Sequence, residues 1–447
     1  MKYEKWSFGY WLLKKYVQFV DWIIYNKVIV HGEENLPKNK PIVFSPNHQN
    51  ALSDPMAILL HTPFQPVWLA RADIFQNKTA AAILRFLKIM PVYRMRDGKD
   101  NLAKNDETFS NSIKVLKNNV PLGLFPEAAH SGKRQMLAHK KAVPRIVFMA
   151  EEKSDKNLDI HIIPTGIYYS HYWKFNRNLI VDFGSPIKVN EFLETYKESE
   201  VAATQSLRQR ILDEMQKVVL DIKSKNHYDD FENIRELYGK QYLRRQNKKY
   251  SVLNLFFSDK KMVEKLDIAE AQQPQAIEQL VNATNSYISK IKKLKLRTWL
   301  LERPKSNWLK LGLNKLVLLL GFPFFLFGFI FNAIPFFLID TITRKKIRDI
   351  GFWSTFFLVL GLILFPVFYI IEFFAVSWLI PELWMKLLFL FSMPFAGKLA
   401  FLWYILFRKT VGRARLWFLA VFNNKKYRTL IKQKEELYKN LDELIPV

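Results

Sequence analysis

Cysteine is absent from all 447 residues of this sequence. Its absence excludes disulfide bonds, zinc sites built from thiolates, and catalysis by a cysteine nucleophile. Acidic residues are few relative to basic ones, with 41 Asp plus Glu against 67 Lys plus Arg, so the formal net charge is +26. A charge of this size favours an anionic partner, either nucleic acid or an acidic membrane surface.

Apolar residues are abundant, at 49% of the chain, with 15% aromatic, and this composition excludes a disordered protein. They are concentrated in three long runs, at 316–339, 352–380 and 387–407. A helix needs ~20 apolar residues to cross a ~30 Å hydrocarbon core, and each run is long enough. The C-terminal third is therefore predicted to be embedded in a membrane.

The distribution of basic and aromatic residues decides between the two anionic partners. Lys and Arg are dispersed along the chain, and much of the aromatic content lies in the apolar runs. Both features argue against nucleic-acid binding. We expect anionic membrane lipid as the partner, with about 1 kcal/mol of attraction for each Lys or Arg held near the surface.

Composition and periodicity divide the chain into seven segments. The fold class that they predict is α/β, a mixed-sheet domain between membrane-associated helices. For the first segment, a helix covering the soluble core is the alternative to an interfacial one. In chain order the segments are an interfacial amphipathic helix at 1–27, the α/β domain at 28–190, a helical region at 191–310, a membrane-dipping segment at 311–340, transmembrane helices at 352–380 and 385–407, and a basic cytoplasmic tail at 408–447.

Basic loops suggest how the apolar runs are oriented, because Lys and Arg mark cytoplasmic loops. Such residues cluster at 344–348 and again at 408–415. Three full crossings would place the 344–348 loop and the basic N-terminal region on opposite faces. Since Pro323, Gly328 and Pro335 interrupt the first run, we expect it to dip in and return, with the α/β domain on the cytoplasmic face.

Polar residues able to carry chemistry follow the strand predicted at Ile42–Ser45. His48 comes first and Asp54 lies six residues later. A carboxylate beside a histidine fixes the imidazole tautomer, so that the other ring nitrogen can take a proton from a hydroxyl. On a continuous helix six positions rotate two residues about 240° apart, so a bend must bring them together. The alternatives are a structural histidine and an N-cap at Asp54 before Pro55.

A second polar cluster follows the strand predicted at Pro121–Phe125, and contains Glu127, Ser131, Lys133 and Arg134. A carboxylate that accepts from hydroxyls, next to cations that face a phosphate, suits a site for a polyol phosphate. A surface loop with solvated charges is the alternative.

Two shorter fragments complete the set of polar motifs. Arg94 follows the apolar residues Met90–Val92, and its planar guanidinium is suited to clamp a phosphate. The fragment Ile162–Gly166 follows further along the chain and overlaps the end of a strand predicted at Ile160–Pro164.

Taken in chain order, four of these segments resemble the motif blocks of the glycerophospholipid acyltransferase superfamily, whose members esterify glycerol 3-phosphate or its 1-acyl derivative. The matching segments are 47–54, 91–94, 125–131 and 163–166. The resemblance covers roughly residues 28–190. It implies a glycerophosphate acceptor, an acyl-coenzyme A or acyl carrier protein donor as co-substrate, and no cofactor or metal.

The same resemblance implies a role for each matching residue. His48 would be the general base and Asp54 its partner. Arg94 would bind the acceptor phosphate, and Glu127 with Ser131 would help hold the glycerol moiety. We place Lys133, two residues beyond Ser131, with these substrate-binding residues.

The sequence departs from the family pattern in two places. Five residues, Gln49–Ser53, separate the His from the Asp where the commonest pattern has four, which resembles the branch that acts on glycerol 3-phosphate or dihydroxyacetone phosphate. In the third block, Ala128 and His130 stand where the family usually has Gly and often has Arg. Ala tolerates a positive φ less well than Gly, and His would supply a weaker, pH-dependent contact.

Together these features predict a membrane-bound O-acyltransferase of phospholipid biosynthesis. One alternative is an acyltransferase for a different lipid acceptor. Another is a non-catalytic, lipid-binding membrane scaffold, which would leave His48, Asp54 and Glu127 without a purpose.

The predicted topology is testable because a chain without cysteine allows single-cysteine labelling. Glu382→Cys lies between the second and third apolar runs, and Lys345→Cys lies in the basic loop. We expect a membrane-impermeant maleimide to label Lys345→Cys from the cytoplasmic side and Glu382→Cys from the opposite side. Labelling of Glu382→Cys from the cytoplasmic side would contradict the topology.

Overall fold

The computed structural model describes residues 2–93, 105–154, 157–302 and 308–447, and they form two compact bodies. The first body consists of Met1–Asp221 together with Ile347–Leu358, and the second of Ile222–Lys346 together with Val359–Val447. The first body therefore extends beyond the predicted α/β domain at 28–190 and includes a short segment from the C-terminal third.

An eight-stranded mixed sheet lies at the centre of the first body, counted over its described residues. This confirms the predicted mixed sheet. The strands are β1 Tyr25–His31, β2 Ile42–Pro46, β3 Val67–Arg71, β4 Ile89–Val92, β5 Leu122–Gly123, β6 His161–Tyr169, β7 Arg177–Phe183 and β8 Ile187–Lys188. Their order in the sheet is β1-β7-β6-β2-β5-β3-β4 with β8 beside β6, and all pairs are parallel except β6 with β7 and β6 with β8.

Strand β6 continues beyond Pro164, where the sequence pattern predicts its end. Its first half pairs with β2 and its second half with β7, so the strand changes partner near Thr165 instead of stopping. Gly166 is needed there because a Cβ would lie 2.0 Å from the carbonyl oxygen of Val218. Pro and Gly usually mark strand ends, and here they accompany a partner change and a close backbone approach.

Helices cover both faces of the sheet. Buried residues of α4, α5 and α7 form the core on one face, while α2 packs on the other. Because α7 contributes Leu207, Ile211 and Met215 to this core, the predicted boundary at 190 is too early. The helices are α1 Phe8–Ile24, α2 Ser53–Leu60, α3 Lys78–Phe86, α4 Asn105–Lys117, α5 Ala142–Glu152, α6 Leu193–Glu198 and α7 Glu200–Val218.

Helix α1 buries polar side chains and exposes aromatic ones. Lys14 is buried and its Nζ donates to two carbonyl oxygens near the end of α2, while Asp21 accepts from Nε2 of His61 at 3.1 Å. Tyr10 and Val17 are buried beside these two residues, whereas Trp11 and Trp22 are among the aromatic residues of α1 that stay exposed. The helix thus covers part of its own body and leaves aromatic side chains uncovered, and its location in the membrane interface stays a prediction.

The second body is helical, with three helices in the described residues long and apolar enough to cross a membrane. The helices that follow α7 are α8 Tyr228–Arg245, α9 Val252–Gln272, α10 Pro274–Lys293, α11 Trp308–Lys346, α12 Trp353–Val376, α13 Leu383–Phe422 and α14 Asn424–Leu444. The three membrane candidates are α11, α12 and α13, and α12 begins in the first body.

The predicted dip and return at 311–340 is wrong, because α11 is one continuous helix of 39 residues. At ~1.5 Å per residue it is about 58 Å long. Pro323 and Pro335 lie inside the helix without reversing it. Transmembrane helices tolerate proline because neighbouring helices and local adjustments satisfy the freed backbone groups.

The predicted basic tail at 408–447 is also an ordered part of the second body. Helix α13 continues to Phe422, and α14 occupies most of the remainder. The hydroxyl of Tyr438 donates to the carbonyl oxygen of Leu237 at 2.9 Å, so α14 packs on α8. The charge of this segment suggested a tail. The apolar residues of α14 are widely spaced and form no long run in the sequence, and most of them face neighbouring helices.

Candidate active site

His48 and Asp54 are in direct contact at the carboxyl end of β2. Nδ1 of His48 lies 2.9 Å from Oδ2 of Asp54. The same oxygen accepts the backbone N–H groups of Gln49 and Asn50, each at 2.7 Å. The bend required by the spacing is thus present. Asp54 is not an N-cap, because α2 already begins at Ser53 and the side chain turns back toward the preceding loop.

The environment of Asp54 fixes the orientation and tautomer of His48. The Asp54 side chain has no solvent exposure, and one of its oxygens faces three donors. A carboxylate only accepts, so Nδ1 of His48 carries the hydrogen. Nε2 is then the ring nitrogen with a lone pair, as proton abstraction requires. The His48 side chain is 17% exposed, so the ring remains accessible.

Asn47 holds the start of this loop against β6. Its Oδ1 accepts the N–H of Ile167 at 2.7 Å, and its Nδ2 donates to the carbonyl oxygen of the same residue at 3.2 Å. The backbone N–H of Asn47 donates to Thr165. These contacts bring the first and fourth sequence motifs together.

Phe125 supports the imidazole of His48 from one side. The two rings are stacked with centroids 4.0 Å apart and planes at 21°. Trp68 in turn stacks on Phe125 at 5.5 Å. Sequence reasoning included Phe125 in a motif without giving it a role, because stacking between residues far apart in the chain leaves no periodic pattern.

Glu127 is buried next to the loop that carries His48, with 2% of its surface exposed. Oε1 accepts the N–H of His48 and Oε2 accepts the N–H of Leu137, both at 3.1 Å. Burial raises the pKa of Glu127 to about 8, while these two N–H donors act in the opposite direction. The structure thus gives Glu127 the task of holding the backbone of His48. Its contact with glycerol stays a prediction.

Ser131 and Lys133 lie in the loop after Glu127. The N–H of Ser131 donates to the carbonyl oxygen of His48 at 3.0 Å, so this loop also contacts the loop that carries His48. The Ser131 hydroxyl donates to the carbonyl oxygen of Lys133 at 2.8 Å, and Lys133 itself is exposed. Their contacts with substrate stay predictions.

Arg134, which the sequence pattern grouped with cations that face a phosphate, is turned toward the protein interior instead. It is buried, and its guanidinium donates to the carbonyl oxygen of Tyr169 at 2.7 Å. The same group lies 5.2 Å from the ring centroids of Tyr168 and Tyr172. Arg134 therefore anchors its loop to β6 through hydrogen bonding and cation–π contacts.

The two departures from the family motif have visible consequences. Ala128 has a φ of 58°, a conformation that costs a residue other than Gly roughly 1 kcal/mol. The ring of His130 lies 5.7 Å from that of His48. Burial, and after it the neighbouring His48, lower the pKa of His130. His130 is therefore largely neutral near pH 7 and does not replace the permanent charge of an arginine.

The sheet topology explains why these motifs meet. Strands β2, β5 and β4 run parallel, so their carboxyl ends lie at one edge of the sheet. His48 follows β2, Glu127 follows β5, and β4 ends at Val92. Arg94 lies outside the described residues. The pattern did not reveal β4, because its four residues include Pro91.

Comparison with known proteins points to the same part of the chain. A model of the family described as Acyltransferase matches residues 27–168. This range contains His48, Asp54, Arg94 and Glu127.

Two curated proteins of Saccharomyces cerevisiae (strain ATCC 204508 / S288c) are similar to this chain. Glycerol-3-phosphate O-acyltransferase 2 is 28% identical over 108 residues, which are 24% of this chain and 14% of that protein. Glycerol-3-phosphate O-acyltransferase 1 is 29% identical over 147 residues, which are 31% of this chain and 19% of that protein. The chain thus matches less than a fifth of the length of these relatives.

A solved structure is also similar, the 1-acyl-sn-glycerophosphate acyltransferase PlsC from Thermotoga maritima. The alignment covers 47% of this chain and 78% of that chain, with 18% sequence identity and a TM-score of 0.34.

Replacing Glu127 by Gln tests its hold on His48. The amide would turn an NH₂ group toward one of two backbone N–H donors, and leaving a buried N–H without its acceptor costs about 1–3 kcal/mol. Glu151→Gln is the matched control, because buried Glu151 likewise accepts the N–H groups of Leu158 and Ile160. We expect both variants to unfold at lower temperature in detergent. Only Glu127→Gln should slow acyl transfer per folded molecule, by roughly tenfold or more, and equal rates for the two variants would contradict the assignment.

Proposed function

We propose that this chain, whose residues 27–168 match the Acyltransferase family model, is a membrane-bound O-acyltransferase of phospholipid biosynthesis. It moves a fatty acyl group from a thioester donor to a hydroxyl of glycerol 3-phosphate or 1-acylglycerol 3-phosphate. The observation that carries the proposal is the 2.9 Å contact between His48 and Asp54. The names of the two yeast relatives support a glycerol 3-phosphate acceptor.

In the proposed reaction His48 acts as a general base. Its Nε2 takes the proton of the acceptor hydroxyl while the hydroxyl oxygen attacks the thioester carbonyl carbon. Collapse of the tetrahedral intermediate breaks the carbon–sulfur bond and forms the ester. The leaving thiolate takes the proton back from the imidazolium, which Asp54 stabilises meanwhile. No covalent enzyme intermediate is needed, which suits a chain without cysteine.

The acceptor binds through groups that follow the carboxyl ends of β4 and β5. Arg94 would hold the phosphate with its planar guanidinium, and exposed Lys133 would supply a second cation for the same acceptor. Ser131 and Glu127 contribute polar atoms near the glycerol moiety. Support for this arrangement comes from the loop of Ser131, whose N–H donates to the carbonyl oxygen of His48.

The donor is acyl-coenzyme A or acyl carrier protein, both acidic partners for a chain of net charge +26. The same charge attracts anionic lipid to the catalytic body. We place that body on the cytoplasmic face, where both donors occur. Three helices suited to crossing a membrane support the membrane location.

His48→Ala tests the chemistry directly. We expect the variant to lose acyl transfer to glycerol 3-phosphate by at least about 10²-fold, the usual contribution of a general base, while staying folded. His31→Ala is the matched control, since Nδ1 of His31 also lies 2.7 Å from an aspartate, Asp182, in the same body. The assay follows thiol release and ester formation by purified protein with each donor. Turnover by His48→Ala close to that of the control would refute the proposal.

Arg94→Ala separates a glycerophosphate acceptor from a different lipid acceptor. Loss of the guanidinium should raise the KM for glycerol 3-phosphate about tenfold or more, as expected for one charged hydrogen bond. Arg210→Ala, which removes an exposed arginine paired with Glu214 on α7, is the control. If both variants bind the phosphate acceptor like the unmodified chain, a different acceptor is favoured. Absence of transfer by the unmodified chain to every acceptor would favour the non-catalytic scaffold.

A further inference from the structure

The segment Ile347–Leu358 belongs to the same body as His48, although it is about 300 residues away in the sequence. It contains a short turn and then the beginning of α12. Helix α12 is one of the three helices suited to crossing a membrane. The catalytic body therefore includes the first turns of a membrane helix.

Two hydroxyl side chains of α12 bind the loop between His48 and α2. The Ser354 hydroxyl donates to Oδ1 of Asn50 at 2.5 Å and accepts from the Ser53 hydroxyl at 3.1 Å. The Thr355 hydroxyl accepts the N–H of Leu52 at 3.1 Å. Ser354 is only 3% exposed and its two hydrogen bonds are buried, while the hydrogen bond of Thr355 is partly buried.

The same segment also contacts the opposite side of the site at His130. The ring of Phe352 meets the His130 ring edge-on, with centroids 4.6 Å apart. The backbone at Gly351 approaches so closely that a Cβ there would lie 2.9 Å from Nε2 of His130. Asp349 places a carboxylate oxygen 3.7 Å from that nitrogen. Residues 349–355 thus reach both motif loops that surround His48.

Asn50 connects the membrane helix to the catalytic pair. Its N–H donates to Oδ2 of Asp54, its Nδ2 donates to the carbonyl oxygen of Tyr172 at 3.0 Å, and its Oδ1 accepts from Ser354. Asp54 in turn holds Nδ1 of His48. Two residues, Asn50 and Asp54, therefore connect Ser354 to His48 through hydrogen bonds.

The loop depends on help from outside because its own geometry is unfavourable. Ala51 has a φ of 42°, which only Gly adopts readily, and α2 begins without a side-chain cap. The N–H of Leu52 is satisfied by Thr355 and the amide oxygen of Asn50 by Ser354. Strained conformations of this kind persist only where surrounding contacts hold them.

We propose that the beginning of α12 is a positioning element of the active site, with Ser354 acting through Asn50 and Thr355 acting through Leu52 on the His48–Asp54 pair. The membrane helix thereby holds the catalytic loop at the membrane surface. This inference rests on the proposed acyl-transfer function. The hydroxyls of Ser354 and Thr355 are engaged by Asn50, Ser53 and Leu52, so we assign their contribution to the rate of the chemical step rather than to substrate binding.

The test compares Ser354→Ala and Thr355→Val with Ser377→Ala in the full-length chain. Ser377 is the matched control, because it directly follows α12 and its hydroxyl donates to the carbonyl oxygen of Phe373 in that helix. We expect Ser354→Ala and Thr355→Val each to lower kcat roughly five- to tenfold, as loss of one buried hydrogen bond allows, with the KM of donor and acceptor unchanged. Rates are normalised to folded protein by thermal unfolding.

A double-mutant cycle tests whether Ser354 acts through Asn50. The Asn50→Ala/Ser354→Ala double variant should be no slower than Asn50→Ala, because removing Asn50 already breaks the connection. Independent losses that add in the double variant would overturn this path. A raised KM with unchanged kcat would instead make the segment part of substrate binding, and would also overturn it.

The controls separate failure of this inference from failure of the proposed function. If the unmodified chain transfers acyl groups and His48→Ala does not, normal kcat values for Ser354→Ala and Thr355→Val contradict the positioning role alone. If the unmodified chain is inactive, or His48→Ala is active, the acyl-transfer proposal fails and this inference fails with it.

Discussion

One buried carboxylate oxygen organises the active site. Oδ2 of Asp54 accepts the ring N–H of His48 and the backbone N–H groups of Gln49 and Asn50, so it fixes both the base and the loop that carries it. A charged acceptor with three donors is costly to disturb in a buried place, because every donor would lose its partner at once. The five-residue spacing between the His and the Asp becomes possible because the loop folds around this oxygen.

The surroundings of that loop come from widely separated parts of the chain. Asn47 connects it to β6, Glu127 ties the His48 backbone to the loop after β5, and Phe125 stacks on the imidazole. The beginning of α12 adds hydrogen bonds from a helix suited to crossing a membrane. The proposed catalysis by a single base without a covalent intermediate would require such rigidity, since the reacting groups must be held in place for attack.

Predictions from the sequence succeeded where a local pattern has a direct physical cause. Alternation of apolar strands with helices indicated the mixed sheet, and the charge of Asp54 beside His48 indicated a pair. They failed where a local signal was outweighed by packing. Pro164 suggested the end of a strand that changes partner instead, and Pro323 suggested a break in a helix that continues.

The sequence by itself determined the chemical inventory: a histidine and a carboxylate in one motif without any cysteine nucleophile, an excess of positive charge, and apolar runs long enough to cross a membrane. Only the tertiary structure decided that Glu127 faces backbone N–H groups, and that Ser354 supports a loop 304 positions away. The physical reason is the distance along the chain over which each kind of signal acts. Apolar periodicity and local spacing act over a few turns, whereas a hydrogen bond between distant residues exists only once the chain has folded and leaves no repeating pattern in the sequence.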